Sequence, residues 1–401
     1  MRIVLCTETY LPILNGVVTF VQMLADEWTK QGHAVLVIAP DHKAKKHFIK
    51  DGVLHCPAMR SKQLTVDISF PVDPVRFKLL KEFAPDIIHI QHEWGISLFG
   101  LQSARLLHIP LVYTLHSEYS KYMFYAVKKF MIPWATVNLA RLERFIVKHA
   151  TVVTSPSRKG QEYFRSIGVD LDVTVIQNSV QLDDFNPDLF TLEDKQALRT
   201  KLGIGQDEMC VLFVGRLGPE KSVKLLLDYW AQTIKPEDKL RLMFVGSGTN
   251  DAEVIDHAKN LGIASMVTFC GKVPHDKIAI YYAICDVYAT ASISEMHSVS
   301  MLEGLGAGLP VLQRLDELNR DQLIEGVNGY FFETAEEFGR LLKMIRAQSP
   351  EEVLAMKHRV RQSVLHNNSP KALADKYMEQ YKRAIEIYVQ REAPPIEEIN
   401  P

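Results

Sequence analysis

Residues 292–310 read Ser292-Ile-Ser-Glu295-Met-His297-Ser298-Val299-Ser-Met-Leu-Glu303-Gly-Leu-Gly-Ala-Gly308-Leu-Pro310. The run follows an apolar stretch at 287–289, passes through a segment of small residues, and closes on Gly308-Leu-Pro310 as the next apolar stretch, 309–312, begins. A strand, a polar loop, a short helix and a second strand make the repeating unit of a parallel sheet with crossover helices. In that reading Glu295 sits in the loop at the carboxyl end of a strand and Glu303 on the following helix, at the edge where open α/β sheets bind ligands.

The same alternation runs outward in both directions. Upstream, short apolar runs at 3–6, 35–39, 87–90, 111–115, 152–154 and 173–176 read as strands, with helical patterns at 17–31, 74–83, 97–107, 123–148 and 158–166 between them. Nearer the opening stretch, strands are expected at 210–214, 242–245 and 267–270, beside 287–289 and 309–312. Clusters of Asn, Asp, Ser and Pro at 178–189 interrupt the periodicity. They divide the chain into a doubly wound domain at 1–185 and a second at 186–369. A terminal helix at about 370–390 is expected to pack back on the first domain, and 392–401 reads as a solvated tail.

Composition excludes several classes. With 401 residues, 47% apolar and 23% charged, the chain is an ordinary globular protein of two to three domains rather than a disordered one. Its apolar runs, such as 209–214, fall far short of the roughly 20 residues of a spanning helix. The N-terminus enters a strand with no cleavage region, so a cytoplasmic protein is expected. Cys6, Cys56, Cys210, Cys270 and Cys285 are scattered, with no Cys-x-x-Cys pair to suggest a disulfide framework or a zinc site. Asp170-Leu-Asp172 reads as surface rather than as a metal motif. Charge is uneven, since residues 42–165 carry an excess of roughly +10, which suits an anionic partner.

The chemistry concentrates around the opening stretch. Glu303 suits a ribose diol, whose two hydroxyls one carboxylate can accept together, although two isolated glutamates would equally suit solvent. Gly215-Arg216-Leu-Gly-Pro-Glu-Lys221 ends a strand and places two cations five residues apart beside a helix start, an arrangement that can neutralise a diphosphate without a metal. Phe244-Val-Gly246-Ser-Gly248 and Phe269-Cys-Gly271-Lys272-Val273 put glycines at strand ends, where backbone can approach a ligand.

In combination these motifs resemble the nucleotide-sugar domain of the retaining family 4 glycosyltransferases, which have the GT-B fold: two doubly wound Rossmann-like α/β domains facing across a cleft. The first half agrees through Thr9-Tyr-Leu-Pro12, Asn15-Gly16-Val-Val, Pro85-Asp-Ile-Ile-His89 and the link at 176–187. The resemblance covers about residues 1–390. It implies that Arg216, Lys221, Gly16 and the backbone at Ser298 and Val299 bind the donor diphosphate, and that Glu303 binds the ribose. Gly246, Gly271, Lys272 and Val273 would line the base region. Glu295 would contact the transferred sugar, and His116, in Thr114-Leu-His-Ser, would lie at the reacting face. His297 falls inside the sugar loop. The chain departs from the family with Ser298 where glycine is usual, Ser179 where glycine is common and Gln181 where aspartate is common. In this family, retention is described as same-face attack assisted by the leaving group; no metal or other cofactor is expected.

The acceptor reading starts from Tyr119 to Trp134, where Tyr122, Phe124 and Trp134 interleave with Lys128 and Lys129, and from Lys45 and Lys46 beside Phe48 and Ile49. Such segments suit a membrane interface, though a core with a solvated lysine face has the same pattern. Asp316-Glu-Leu and Gly326-Val-Asn-Gly-Tyr-Phe332 look most similar to bacterial enzymes that glycosylate diacylglycerol or a glycosyl-diacylglycerol. Phosphatidylinositol mannosyltransferases share much of the pattern. The expectation is a peripheral membrane hexosyltransferase at the inner face of the cell membrane, using UDP-glucose. A same-fold enzyme with a soluble or polyprenyl-linked acceptor, and a non-catalytic partner subunit, are the alternatives. Nucleic acid is not an expected partner, since no recognised motif accompanies the basic excess.

Overall fold

A computed structural model describes residues 1–13, 15–61, 67–119, 127–365 and 368–392. The chain forms two units, Met1–Gln177 with Pro370–Pro401, and Asn178–Ser369. The boundary lies eight residues before the expected one, because Val180, Leu182 and Phe185 are buried in the core of the second unit.

In the first unit, strands β1 (Arg2–Cys6), β2 (Ala34–Asp41), β3 (Phe48–Lys50), β4 (Val53–Pro57), β7 (Ile87–Ile90), β8 (Leu111–Thr114), β9 (Val152–Ser155) and β10 (Val173–Val175) form one sheet. Their order is β10-β9-β8-β7-β1-β2-β4-β3, all parallel except β3 against β4. A small antiparallel pair, β5 (Met59–Arg60) and β6 (Asp67–Ile68), stands apart. Strands β3 to β6 are not among the expected ones, since their runs are short and broken by His55 and Pro57. The helix expected at 123–148 spans Ile132–His149, with proline in its first turn, where a missing N–H costs nothing.

Burial on both faces explains the uninterrupted apolar character of β1, whose Ile3 to Cys6 are all inaccessible. One face is covered by helix Gly16–Lys30, which turns Val18, Val21, Leu24 and Trp28 inward. Helix Pro370–Glu392 packs beside it through Leu373, Ala374, Tyr377, Tyr381 and Ala384, the three-to-four spacing of one helix face. Its polar atoms are placed too. The Trp28 indole N–H donates to the Ala374 carbonyl at 3.2 Å, and His89 on β7 bonds the Tyr381 hydroxyl at 2.7 Å.

The second unit holds β11 (Met209–Val214), β12 (Leu240–Val245), β13 (Val267–Phe269), β14 (Val287–Thr290), β15 (Val311–Arg314) and β16 (Gly329–Phe332). The order β13-β12-β11-β14-β15-β16, all parallel, is the Rossmann order 3-2-1-4-5-6. Its switch point lies between β11 and β14, so the loops that follow those two strands diverge and leave a crevice at their carboxyl ends.

Candidate active site

Two loops meet at that switch point. After β11 the chain runs through Gly215, Arg216 and a turn at Pro219–Lys221; after β14 it runs through 291–298 to helix Val299–Gly306. Side chains stitch the loops together, since the Ser292 and Ser294 hydroxyls donate to the Glu220 carbonyl at 3.3 and 2.7 Å. The Lys221 ammonium pairs with the Glu295 carboxylate, and Arg216, half exposed, lies 3.6 Å from the Glu220 carboxylate. Each cation expected to meet a diphosphate therefore stands beside an acid. Lys221 and Glu295, 74 residues apart, form one charged pair at the crevice.

Helix Val299–Gly306 begins at Ser298, whose hydroxyl accepts the Met301 N–H at 3.3 Å. First-turn N–H groups have no intrahelical acceptor, so Val299 and Ser300 offer donors that suit an anion. One turn on, Glu303 is buried. It accepts the Tyr282 hydroxyl at 2.5 Å on one oxygen and His275 Nε2–H at 3.1 Å on the other. The bond to Glu303 raises the His275 pKa, and burial followed by the Glu303 charge holds the Tyr282 hydroxyl well above its usual range. Glu303 is thus a fixed acceptor with lone pairs left for two more hydroxyls, and not a solvated glutamate. His275 and Tyr282 were invisible to sequence reasoning because nothing in their local pattern signals a partner over 20 residues away.

The glycines have a second explanation. A side chain at Gly246, where φ is +131°, would lie 2.0 Å from the Gly215 carbonyl oxygen. The Gly246 N–H donates to the Gly271 carbonyl at 2.9 Å, and that of Gly215 to Val245 at 3.0 Å. Gly246 is therefore required where strand ends approach one another, independent of any ligand. Gly271 and Lys272 are exposed at the end of β13, with Val273 partly buried against the core.

Residues 295–297 are held by side chains that the sequence did not single out. Asn319 Nδ2 donates to the Glu295 carbonyl at 2.7 Å, Gln322 Nε2 to Met296 at 3.2 Å and Asn178 Nδ2 to His297 at 3.0 Å. His297 itself is buried.

In the first unit Gly16 is exposed at the start of its helix, next to Asn15, whose side chain accepts the Val18 N–H at 2.9 Å. His116 follows β8. Its Nε2 bonds Gln91 Oε1 at 2.7 Å and its ring sits edge-on to Phe20 at 4.6 Å. Burial, then the neighbouring His92 and His89, hold its pKa well below the usual value, so the ring is neutral at pH 7. Gln91 Oε1 accepts the hydrogen bond from Nε2–H, which leaves Nδ1 as an acceptor.

Of the residues expected at a membrane, Tyr122 and Phe124 lie outside the described residues. Lys45, Lys46, Lys128 and Lys129 are exposed. Phe130 and Trp134 are 78% and 66% exposed, which a core reading does not accommodate. In helix Ile132–His149, Leu139, Glu143 and Ile146 face inward, while Trp134, Val137, Arg141, Arg144 and Lys148 form an exposed stripe. Glu143 is the one acid from 128 to 149, and it is buried. Asp170 and Asp172 are solvent-exposed, as a surface reading requires. No helix among the described residues is long and apolar enough to cross a membrane.

Comparison with known proteins adds the following. Residues 14–184 match the family described as Glycosyltransferase Family 4, and residues 194–362 match Glycosyl transferases group 1. The chain is 30% identical to the alpha-monoglucosyldiacylglycerol synthase of Acholeplasma laidlawii over 88% of its own length and 89% of that protein's. It is also 30% identical to the alpha-monoglucosyldiacylglycerol synthase of Streptococcus pneumoniae (strain ATCC BAA-255 / R6), over 78% and 70% of the two chains. Among solved structures, Anabaena HepE in complex with UDP-glucose superposes with a TM-score of 0.69 at 18% identity, covering 95% of this chain and 99% of that one, a likeness of fold.

Proposed function

Because the chain belongs to the family 4 glycosyltransferases, and so is a nucleotide-sugar-dependent hexosyltransferase of GT-B fold, we propose that it transfers glucose from UDP-glucose, with retention, to diacylglycerol or a glycosyl-diacylglycerol. The observation that carries the lipid acceptor is the exposed stripe of helix Ile132–His149, with Phe130, Lys128 and Lys129 at its start. Apolar rings beside cations, with no exposed acid among them, suit the boundary between acyl chains and anionic headgroups. The two related alpha-monoglucosyldiacylglycerol synthases support the same acceptor. Such an enzyme works peripherally, at the inner face of the cell membrane.

On the donor side, Glu303 holds the ribose, while Arg216, Lys221 and the N–H groups at Ser298 and Val299 meet the diphosphate. The strand-end segment with Gly246, Gly271, Lys272 and Val273 flanks the base, and the family pattern assigns Gly16, in the first unit's loop, to the diphosphate as well. As the acceptor oxygen bonds to the anomeric carbon, the bond from that carbon to the β-phosphate oxygen breaks and its electron pair stays on the diphosphate. The acceptor's hydroxyl proton passes to the same departing oxygen. Fixed cations and backbone donors stabilise the growing negative charge, the role a metal plays in other transferases. Glu295 accepts sugar hydroxyls, and neutral His116 offers Nδ1 as a further acceptor without taking up a proton.

The test is consumption of a panel of UDP- and GDP-sugars by purified protein, with and without anionic vesicles containing diacylglycerol, and with Glu303→Ala as control. Turnover that needs the vesicles, survives a chelator and is lost in the variant is the expected result. Turnover indifferent to lipid would identify a soluble acceptor instead, and no turnover or nucleotide binding would indicate a partner subunit.

A further inference from the structure

We propose that Asn319, Gln322 and Asn178 are positioning residues that orient the donor loop, so that its backbone N–H groups face the diphosphate. The inference rests on the donor reading above and deepens it. Three consecutive carbonyls, those of Glu295, Met296 and His297, are each taken by a different side-chain amide. Across a trans peptide the carbonyl and the next N–H point to opposite sides. Drawing the three carbonyls onto the amides therefore turns the N–H groups of Met296, His297 and Ser298 away from those amides, and the chain then enters helix Val299–Gly306, whose first-turn donors continue the run. A run of N–H groups oriented by fixed partners makes an anion cradle whose geometry needs no reorganisation when charge develops.

The clamp is itself fixed. Asn319 spends its second amide hydrogen on Asp316 at 3.1 Å, and the Asn178 carbonyl accepts Asn368 Nδ2 at 3.3 Å. Asn319 interrupts the helical turn Glu317–Gln322 with a non-helical backbone, which aims its amide at the loop. Nor do these side chains suit a merely structural anchor. Asn319 and Gln322 are buried, and Asn319 Oδ1 and Gln322 Oε1 have no hydrogen-bond partner among the described residues. Burying a half-satisfied amide costs stability that an apolar residue would keep. What the amides provide in return is the direction of the loop's peptides.

The measurement is the affinity of Asn319→Leu, Asn319→Asp and Gln322→Leu for UDP and for UMP, or for GDP and GMP where the wild type prefers them, alongside donor KM, kcat and melting temperature. The monophosphate reports the ribose and base contacts, and the diphosphate adds the loop. The expected result is a diphosphate-to-monophosphate affinity ratio lowered about 10- to 100-fold in each variant, with monophosphate affinity kept. Asn319→Asp keeps the shape but adds an ionisable group, whereas Asn319→Leu removes donation without charge, so lost donation is read from the fall in the ratio that the two variants share. A ratio equal to that of the wild type overturns the proposal, whether both affinities are kept or both fall together. A wild-type protein that binds none of these nucleotides overturns the donor reading, and the proposal with it.

Discussion

Lys221 and Glu295 illustrate how a single side chain acquires two tasks at this site. Their pairing sets a cation and an acceptor side by side, the groups that the proposed donor site assigns to phosphate oxygens and to sugar hydroxyls, each holding the other in place. If Lys221 meets the leaving diphosphate as proposed, replacing it by Met removes that charge, and kcat/KM for the nucleotide sugar is expected to fall by about 10²–10³. Steady-state kinetics at saturating acceptor would check it. Away from the site, buried Glu143 accepts the Tyr163 hydroxyl at 2.5 Å, and burial raises its pKa to about 7. The folded state thus binds more protons than the unfolded one between the ordinary carboxyl value, 4.5, and about 7, so this residue costs stability as pH rises through that window. Glu143→Gln is expected to gain on the parent by on the order of 2–3 kcal/mol between pH 5 and pH 8, read from denaturant unfolding at the two pH values. Neither partner of these pairs was legible as such: the sequence marks Lys221 and Glu295 separately, and gives no sign that Glu143 is buried.

Elements were far more legible. The central strands of both sheets are buried on both faces and so appear as unbroken apolar runs, which a periodicity reading finds directly. Strands β3, β4 and β16, at or next to a sheet edge, are short or interrupted by polar residues, so the same reading passes over them. Glycines at strand ends were visible, but their reason was not. Gly246 is pinned by the Gly215 carbonyl, whereas a Cβ at Gly271 would meet nothing within 4 Å. Gly246→Ala should therefore cost about 3 kcal/mol or more, combining backbone strain with a collision against backbone, and Gly271→Ala about 1 kcal/mol from its left-handed φ alone. Thermal melts of the two variants should be widely separated; equal losses would refute the close-approach explanation.

For the whole molecule, the proposed lipid acceptor requires a surface that meets a membrane. The proposed lipid contact combines the exposed rings at Phe130 and Trp134 with the exposed lysines at 128 and 129, so both kinds of change should matter. Phe130→Ser with Trp134→Ser, and separately Lys128→Glu with Lys129→Glu, are expected to abolish flotation with anionic vesicles while UDP affinity in solution is retained. Raising the salt concentration should weaken the binding of the parent as well, because the electrostatic part is screened within about 10 Å at 0.1 M. Flotation that survives both double variants would move the contact to another surface, for which exposed Lys45 and Lys46, near Phe48 and Ile49, are the next to test.

The sequence by itself determined the alternation of strands and helices, the division near residue 180, and the donor motifs. Each of these is encoded by neighbours along the chain: burial periodicity, turn residues, and loops whose functional groups lie within a few positions of one strand end. Only the tertiary structure decided which of those groups meet. Glu303 with His275 and Tyr282, Glu295 with Lys221, and the loop carbonyls with Asn178, Asn319 and Gln322 are pairs brought together by the order of strands in a sheet. Periodicity shows that a face is buried but not what it is buried against, and crossover connections place side by side strands that are far apart in sequence.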